Sequence, residues 1–498
     1  MLYDELLAGP ASEKIAIIDQ DRQVTYSQLR RQVEHWARFL QQAGLGQGER
    51  VGLFSRNCEE FIAAYFAVIH AGGVIVPLNF QLVPREIAFM AKDTDMKLLI
   101  TREPLPLTEA LGEAGKQDLR QLTFGELDGP IAGPLQTYER SENDNCTIVY
   151  TSGTTGTPKG AMLSHKNLLC NARQYLAAVK FLPEDIILCL LPMYHCYGWT
   201  VCISGALMLG ATVVVQANYN FRTALRLVEK YHVSIFVAVP AVMELLLTGA
   251  QPEELAVVRQ FICGGASLGK VLGPAFAAKF GKAVMEGYGL TEASPVVSVN
   301  PDGRVKFGSI GPALPGVTVY IVDENNHILP RGQNGELVVR GDNVMLGYLH
   351  RPEATKEAMA GDWLHTGDIG YMDEDGYIFL VDRLKDMVIS SGENVYPREV
   401  ENVILQYPGI REAAVFGVPD RLRGQAITVC LILEEGVDVK TADLRKYLMD
   451  HMAAYKVPRR YFILKDFPRT SLGKVRKNIL RQQIREVLTQ DNRAGRPL

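Results

Sequence analysis

Over residues 26–94 the chain alternates between two hydrophobic periods, and this constrains its fold more than any other feature. Residues 26–43 carry apolar side chains at helical spacing, 50–54 form a short apolar run, and 59–71 are helical again. Residues 74–77 then read as a strand and 84–94 as a helix. The order returns at 211–215 (strand), 221–231 (helix), 233–239 (strand) and 240–247 (helix). Strands that alternate with helices predict parallel sheets covered by helices. From about Gly308 the pattern changes to short strands at 317–322, 335–339 and 376–381, separated by Gly, Pro and Asp turns. Beyond Asp382-Arg-Leu-Lys-Asp386 come a helix (397–406), two strands (410–418, 426–433) and a helix (441–451). At 498 residues, two or three domains are expected. The predicted fold is α/β. A large part, 1–384, holds helix-covered β-sheets and a small β-rich subdomain. A small mobile α+β domain, 386–498, follows a hinge at Lys385.

Charge divides along the same line. Residues 386–498 hold 19 Lys/Arg against 14 Asp/Glu, which leaves 33 against 42 for residues 1–385. A basic small domain and an acidic large one suit capture of a phosphorylated ligand. Arg476, Lys477, Arg481 and Arg485 read as a solvated helix face. A pI near 6.2 and no reader motif argue against nucleic acid. The eight cysteines are scattered without a C-x-x-C pair, as in a reduced cytoplasmic protein rather than a disulfide or zinc framework. No Asp, Glu, Lys or Arg occurs between Asp185 and Arg222. Pro192, Gly198, Gly205 and Gly210 interrupt that stretch, so it reads as strand, buried helix and strand rather than a membrane span. Neither end reads as a secretory leader, a prenylation box or a peroxisomal address.

Chemistry concentrates first in Thr151-Ser-Gly-Thr-Thr-Gly-Thr-Pro-Lys-Gly160. Glycines let the backbone approach a ligand, and clustered N–H groups and hydroxyls suit phosphate oxygens. Lys159 adds a positive charge. The P-loop template does not fit, because it needs Ser or Thr directly after the lysine and Gly160 stands there. Further strings are Pro192-Met-Tyr-His-Cys-Tyr-Gly-Trp199, Gly264-Gly-Ala266, Gly287-Tyr-Gly-Leu-Thr-Glu292, Thr366-Gly-Asp368, Ser390-Ser-Gly-Glu-Asn-Val-Tyr-Pro397 and Ser471-Leu-Gly-Lys474. With Asp382–Asp386, their order and spacing resemble the acyl-adenylate-forming superfamily, and within it the fatty acyl-CoA synthetases. The likeness runs over roughly residues 10 to 480.

That resemblance implies a two-step reaction. A carboxylate attacks the α-phosphorus of ATP, pyrophosphate leaves, and the thiol of coenzyme A then displaces AMP. It implies that Thr151, Ser152, Gly153, Thr154, Thr155, Gly156 and Lys159 hold the β- and γ-phosphates. Glu292, helped by Thr154, would bind Mg²⁺, a hard cation that takes oxygen ligands. Thr291 would donate to the α-phosphate. Adenine would stack on Tyr288, with Gly289 beside it and Gly264, Gly265 and Ala266 opposite. Asp368 and Arg383 would hold the ribose. Lys474 would bridge the carboxylate and the α-phosphate, a task for a compact ammonium on a long stem. Rotation about Lys385 would replace it with Gly392, which lines a pantetheine tunnel.

His195 would sit beside the acid carboxylate, and Trp199, Val239, Met243 and Gly287 would line the acid pocket. No fixed carboxylate there could pair a substrate ammonium, which disfavours amino acids. A bare Gly287 favours a medium- or long-chain fatty acid first and an arylpropenoic acid second. An acyl carrier protein as acceptor is the alternative to CoA. A homodimer and at most peripheral membrane contact are compatible with the sequence.

Overall fold

The computed structural model describes residues 1–9, 11–116, 118–151, 158–390, 393–420, 424–469, 473 and 475–493, with the side chains of 385, 393, 394 and 489–493 outside that set. The chain forms two compact units. The larger takes Met1–Leu268, Leu272–Val319 and Val339–His365; the smaller takes Gly269–Val271, Tyr320–Val338 and Thr366–Leu498.

Two sheets organise the larger unit. Across the first, the strand order is Val296–Val299, Val284–Gly289, Gln260–Cys263, Ile235–Ala238, Ile186–Cys189, Thr212–Val215, Ile15–Asp19 and Arg22–Thr25. Its six inner strands are parallel and its two edge strands antiparallel. In the second sheet, Arg120–Thr123, Leu98–Thr101, Arg50–Phe54, Val74–Leu78 and Asn145–Thr151 run parallel. Lys159–Ser164 and Gly347–Tyr348 extend it antiparallel. The parallel sheets expected from the alternating periods are therefore present. Fully buried central strands such as Val74–Leu78 and Thr212–Val215 are apolar or β-branched, as strands covered on both faces must be.

Local chemistry sets the helix ends. Thr25 caps Tyr26–Gln42 reciprocally with Gln28, and Ser164 caps His165–Val179 with Asn167. Glu59–His70 buries every residue from Phe61 to Ile69 and touches strands of both sheets, so it is apolar all round rather than striped. The charge-free stretch after Asp185 folds as the strand Ile186–Cys189, short helical turns over 196–209, and the strand Thr212–Val215. Among the described residues no helix is long and apolar enough to cross a membrane.

In the smaller unit Ile410–Asp420 pairs antiparallel with Gly424–Leu433. One face of the pair, with Val415, Ile427, Val429 and Leu431, packs with Val400, Ile404, Leu444 and Leu448. The other, with Phe416, Val418, Cys430 and Ile432, packs with Leu480, Ile484 and Leu488. This is an α+β arrangement built on period-2 alternation. The basic face expected on the last helix is corrected at one position. Lys477 is largely covered and its ammonium lies 2.7 Å from Glu401. Burial works against its charge, but the Glu401 and Asp382 carboxylates outweigh that and hold its pKa up.

Glu59 marks a buried charge at the start of the central helix. Its N–H donates to Asp19 (3.0 Å) and its carboxylate meets Arg22 at 2.7 Å. Burial pushes the Glu59 carboxyl from its ordinary 4.5 up to about 7, only partly opposed by Arg22. A carboxyl raised in the folded state binds its proton more tightly there than when unfolded. It therefore subtracts from stability as pH rises from 4.5 to 7, and no further above that. The stability of Glu59→Gln relative to the parent should rise between pH 5 and pH 8, by roughly 1–3 kcal/mol for a shift of this size. Unfolding midpoints measured at both pH values test this, and a difference that does not change with pH would count against it.

Candidate active site

Strand direction assembles the site. In the first sheet Ala238 lies beside Cys263, Cys263 beside Glu286, and Val237 beside Cys189. Four motif loops leave the carboxyl ends of these neighbouring parallel strands. They are 192–199 after Cys189, Val239 after Ala238, 264–266 after Cys263, and 287–292 at the end of Val284–Gly289. Open α/β sheets bind ligands along that edge.

The second sheet supplies the phosphate loop as a hairpin. Thr151 pairs with Lys159 across antiparallel strands, and residues 152–157 connect them. Ser152, Gly153, Thr154, Thr155 and Gly156 lie outside the described residues. The hairpin reaches the edge of the first sheet through Tyr348. That ring lies under the Lys159 ammonium at 5.3 Å, and its hydroxyl donates to Glu292 Oε1 at 2.7 Å. Burial first, and the Glu292 charge second, push the Tyr348 phenol well above its ordinary range. Thr151, Lys159, Thr291 and Glu292 thus come from different sheets and share one neighbourhood.

The turn bearing Thr291 and Glu292 is fixed by its neighbours. Met345 N–H donates to the Glu292 carbonyl, Asn343 Nδ2 to Ala293 O, and Thr200 Oγ1 to Ser294 O. Asn171 exchanges two hydrogen bonds with the backbone of Val296. Glu286 accepts Leu268 N–H at 3.0 Å, which ties the 264–268 loop to the Tyr288 strand.

Sequence reasoning missed Tyr197. A Cβ on Gly264 would come within 3.0 Å of its ring, and its hydroxyl donates to Ala238 O. One face of the glycine segment is therefore covered by an aromatic ring. Gly265 takes φ +81°, a left-handed conformation that favours glycine, and a Cβ on Gly289 would lie 2.1 Å from the Pro295 carbonyl. Tyr348 was also missed. Only pairing of Tyr348 with Ala161 brings it to the site.

His195 is a neutral donor. Its Nδ1 accepts the Tyr197 N–H at 3.1 Å, which puts the ring proton on Nε2. Burial pushes its pKa down to about 4.

Two of the expected pocket residues are also held by packing. Trp199 is 2% exposed and stacks on Tyr65 at 3.7 Å, close to Phe61 and Phe66, with its indole N–H given to Tyr3. It is packed into the core and also lines a small cavity. The cavity it lines with Tyr65, Met193, Tyr194 and Cys196 measures about 10 Å³, about the room that one water molecule needs. A Cβ on Gly287 would meet Ser298 O at 3.1 Å and Val299 Cγ2 at 3.3 Å. A side chain there would be tight against the adjoining strand. Val239 and Met243 are buried at the start of the helix Pro240–Gly249.

In the smaller unit Asp368 and Arg383 face each other across paired strands, with Arg383 Nε 3.0 Å from Asp368 Oδ1. Gly367 N–H donates to Glu336 and Thr366 Oγ1 to Leu337 O, which shapes the turn before Asp368. Lys385 lies in the short turn Leu384–Asp386, its side chain outside the described set. Gly392 and Lys474 lie outside the described residues. No group of three or more His, Cys, Asp or Glu that could cage a metal occurs among the described residues.

The chain matches the AMP-binding enzyme family over residues 7–349 and the AMP-binding enzyme C-terminal domain over residues 399–474. It is 35% identical over 466 residues to a feruloyl-CoA synthase of an Amycolatopsis species, covering 92% of this chain and 94% of that one. It is 30% identical to a long-chain-fatty-acid–CoA ligase of Bacillus subtilis, covering 96% and 93%. The crystal structure of ATP-bound MatB from Rhodopseudomonas palustris superposes with a TM-score of 0.92 at 32% identity, over 98% of this chain and 100% of that one. The strand-edge loops and these matches lead to one conclusion: the chain belongs to the family of AMP-binding enzymes.

Proposed function

We propose that this AMP-binding enzyme is an acid–thiol ligase. It joins a carboxylic acid to AMP at the expense of ATP, releases pyrophosphate, and passes the acyl group to coenzyme A. The observation that carries the reading is the Lys159–Tyr348–Glu292 contact, which links the phosphate-loop hairpin to the Thr291–Glu292 turn. A cation and a carboxylate joined through one tyrosine suit a polyphosphate that arrives with its own metal ion. Phosphoryl and nucleotidyl chemistry of this kind depends on positioning and charge neutralisation. Both curated relatives described above are CoA ligases by name, and the MatB structure holds ATP.

Each residue then has a physical task. Thr151, Lys159 and the intervening loop would hold the phosphates. Glu292 would give Mg²⁺ one carboxylate, with phosphate oxygens and water completing the shell, as Mg²⁺ prefers. The ion would neutralise charge on the leaving pyrophosphate. Thr291 would donate to the α-phosphate. Tyr288 and the Gly264–Ala266 segment would enclose adenine, and Asp368 with Arg383 would hold the ribose. His195, neutral with its proton on Nε2, would orient the acid by donating a hydrogen bond, without fixing a positive charge that would blunt the attacking carboxylate. Lys474 would bridge carboxylate and α-phosphate in the first step, and Gly392 would admit pantetheine in the second.

For the acid, a flat, compact molecule is proposed ahead of a long alkyl chain. Tyr197 lies against Gly264, Trp199 stacks on Tyr65, and a Cβ on Gly287 would be tight against the neighbouring strand. The arylpropenoic reading, in line with the feruloyl-CoA synthase relative, therefore comes first. The fatty-acid reading stands second, on the likeness to the long-chain ligase.

The test is product analysis with a panel of arylpropenoic acids and saturated fatty acids of rising length, each offered with CoA or an acyl carrier protein. AMP and pyrophosphate are expected, with arylpropenoic kcat/KM at least about tenfold above that of any long-chain acid, a gap of about 1.4 kcal/mol. ADP or orthophosphate would overturn adenylation, and a faster long-chain acid would reverse the order of substrates. Lys474→Ala should abolish acid-dependent pyrophosphate exchange and spare CoA attack on supplied acyl-AMP. Gly392→Leu should do the opposite, and equal loss of both steps in either variant would remove that residue's assigned role.

A further inference from the structure

Thr291 opens the turn Thr291–Ala293. The Glu292, Ala293 and Ser294 carbonyls all accept hydrogen bonds, and the Glu292 side chain accepts from Tyr348. The Thr291 hydroxyl instead lies 3.3 Å from the Cys196 thiol. Both residues are buried, at 9% and 5% exposure. Cys196 begins the short helix Cys196–Gly198, directly after His195 in the loop that leaves Cys189. Thr200, four residues on, binds the far end of the same turn at the Ser294 carbonyl. One helical segment therefore touches both ends of the Thr291 turn, and only its Cys196 end reaches a side-chain hydroxyl.

A thiol differs from the usual partners of a buried hydroxyl. It is a weak donor and a weaker acceptor. Burial pushes the Cys196 thiol up to about 12, so it stays protonated at neutral pH. An S–H directed at Thr291 Oγ1 fills one lone pair and leaves the threonine O–H without a strong internal acceptor. That hydrogen stays available to an anionic oxygen of the ligand. A serine hydroxyl at this place would donate and also accept strongly, and would compete with the ligand for the same hydrogen. An alanine would leave the threonine rotor unheld.

We propose that Cys196 is a positioning residue for adenylation: its S–H donates to Thr291 Oγ1 and keeps the Thr291 hydroxyl hydrogen directed at the α-phosphate of the nucleotide. This rests on the adenylation reading above and adds to it a residue that acts through Thr291 rather than on the ligand.

The experiment is a double-mutant cycle on the full-length enzyme, with Cys196→Ala and Cys196→Ser each made alone and combined with Thr291→Val. Acid-dependent pyrophosphate–ATP exchange and CoA attack on supplied acyl-AMP are both measured. Each Cys196 change alone should lower kcat/KM for exchange roughly 3- to 10-fold, as coupled neighbours do, and leave the second step unchanged. In the Thr291→Val background the same changes should have no further effect on exchange. The conservative Cys196→Ser keeps the side-chain shape and a hydrogen-bonding atom, so it tests the thiol's particular role even where Cys196→Ala disturbs packing. Equal losses in both backgrounds, equal losses in both half-reactions, or no loss in either single variant would overturn the role of Cys196. Absence of acid-dependent exchange in the parent would instead overturn the adenylation reading itself.

Discussion

Parallel hydrogen-bond register is the constraint on which the larger unit depends. With Ala238 beside Cys263 and Cys263 beside Glu286, the loops that follow must leave the sheet on one side, next to one another. Four loops from residues as far apart as 192 and 292 are neighbours for that reason alone. The central helix Glu59–His70, apolar on all sides from Phe61 to Ile69, holds the two sheets in the same body and so lets a hairpin of one reach the edge of the other. The Tyr348–Glu292 hydrogen bond is the side-chain expression of that meeting.

Electrostatics in the site follow from burial more than from net charge. Desolvation makes His195 a neutral donor and keeps the Cys196 thiol protonated. Among the described residues of the larger unit's proposed site, the Lys159 ammonium is accompanied by hydroxyls and a neutral imidazole. Preorganised dipoles in a water-poor cleft stabilise developing charge without having to reorganise. In the smaller unit the Lys477–Glu401 pair shows the other solution, in which a buried charge persists because opposite charges surround it.

Much of the fold was legible because hydrophobic period reports secondary structure directly. Residues 221–231 and 441–451 are helices with the bounds their apolar spacing implies, and residues 50–54 are a strand. The charge-free stretch after Asp185 was correctly read as core, since its glycines and proline forbid one continuous helix. The strand Ile15–Asp19 was not legible. It is a five-residue run whose partner, Thr212–Val215, lies some two hundred residues away. The packing around Trp199 and Gly287 was not legible for a related reason. A tryptophan that lines a pocket and one that stacks on Tyr65 look alike in a sequence, and so do a glycine that opens a channel and one that a neighbouring strand requires.

The sequence by itself determined the kind of chemistry: glycine, threonine and lysine for phosphate, a carboxylate for a cation, and motifs in an order that implies adenylation. Residue type and local spacing carry that information because they set charge, donors and backbone freedom. Tertiary structure decided which atoms meet. Tyr348 under Lys159, Tyr197 against Gly264, and the Cys196 thiol beside Thr291 each join segments far apart in the chain. Those contacts are set by strand register and by packing around a shared core, and neither is encoded in any short stretch of residues.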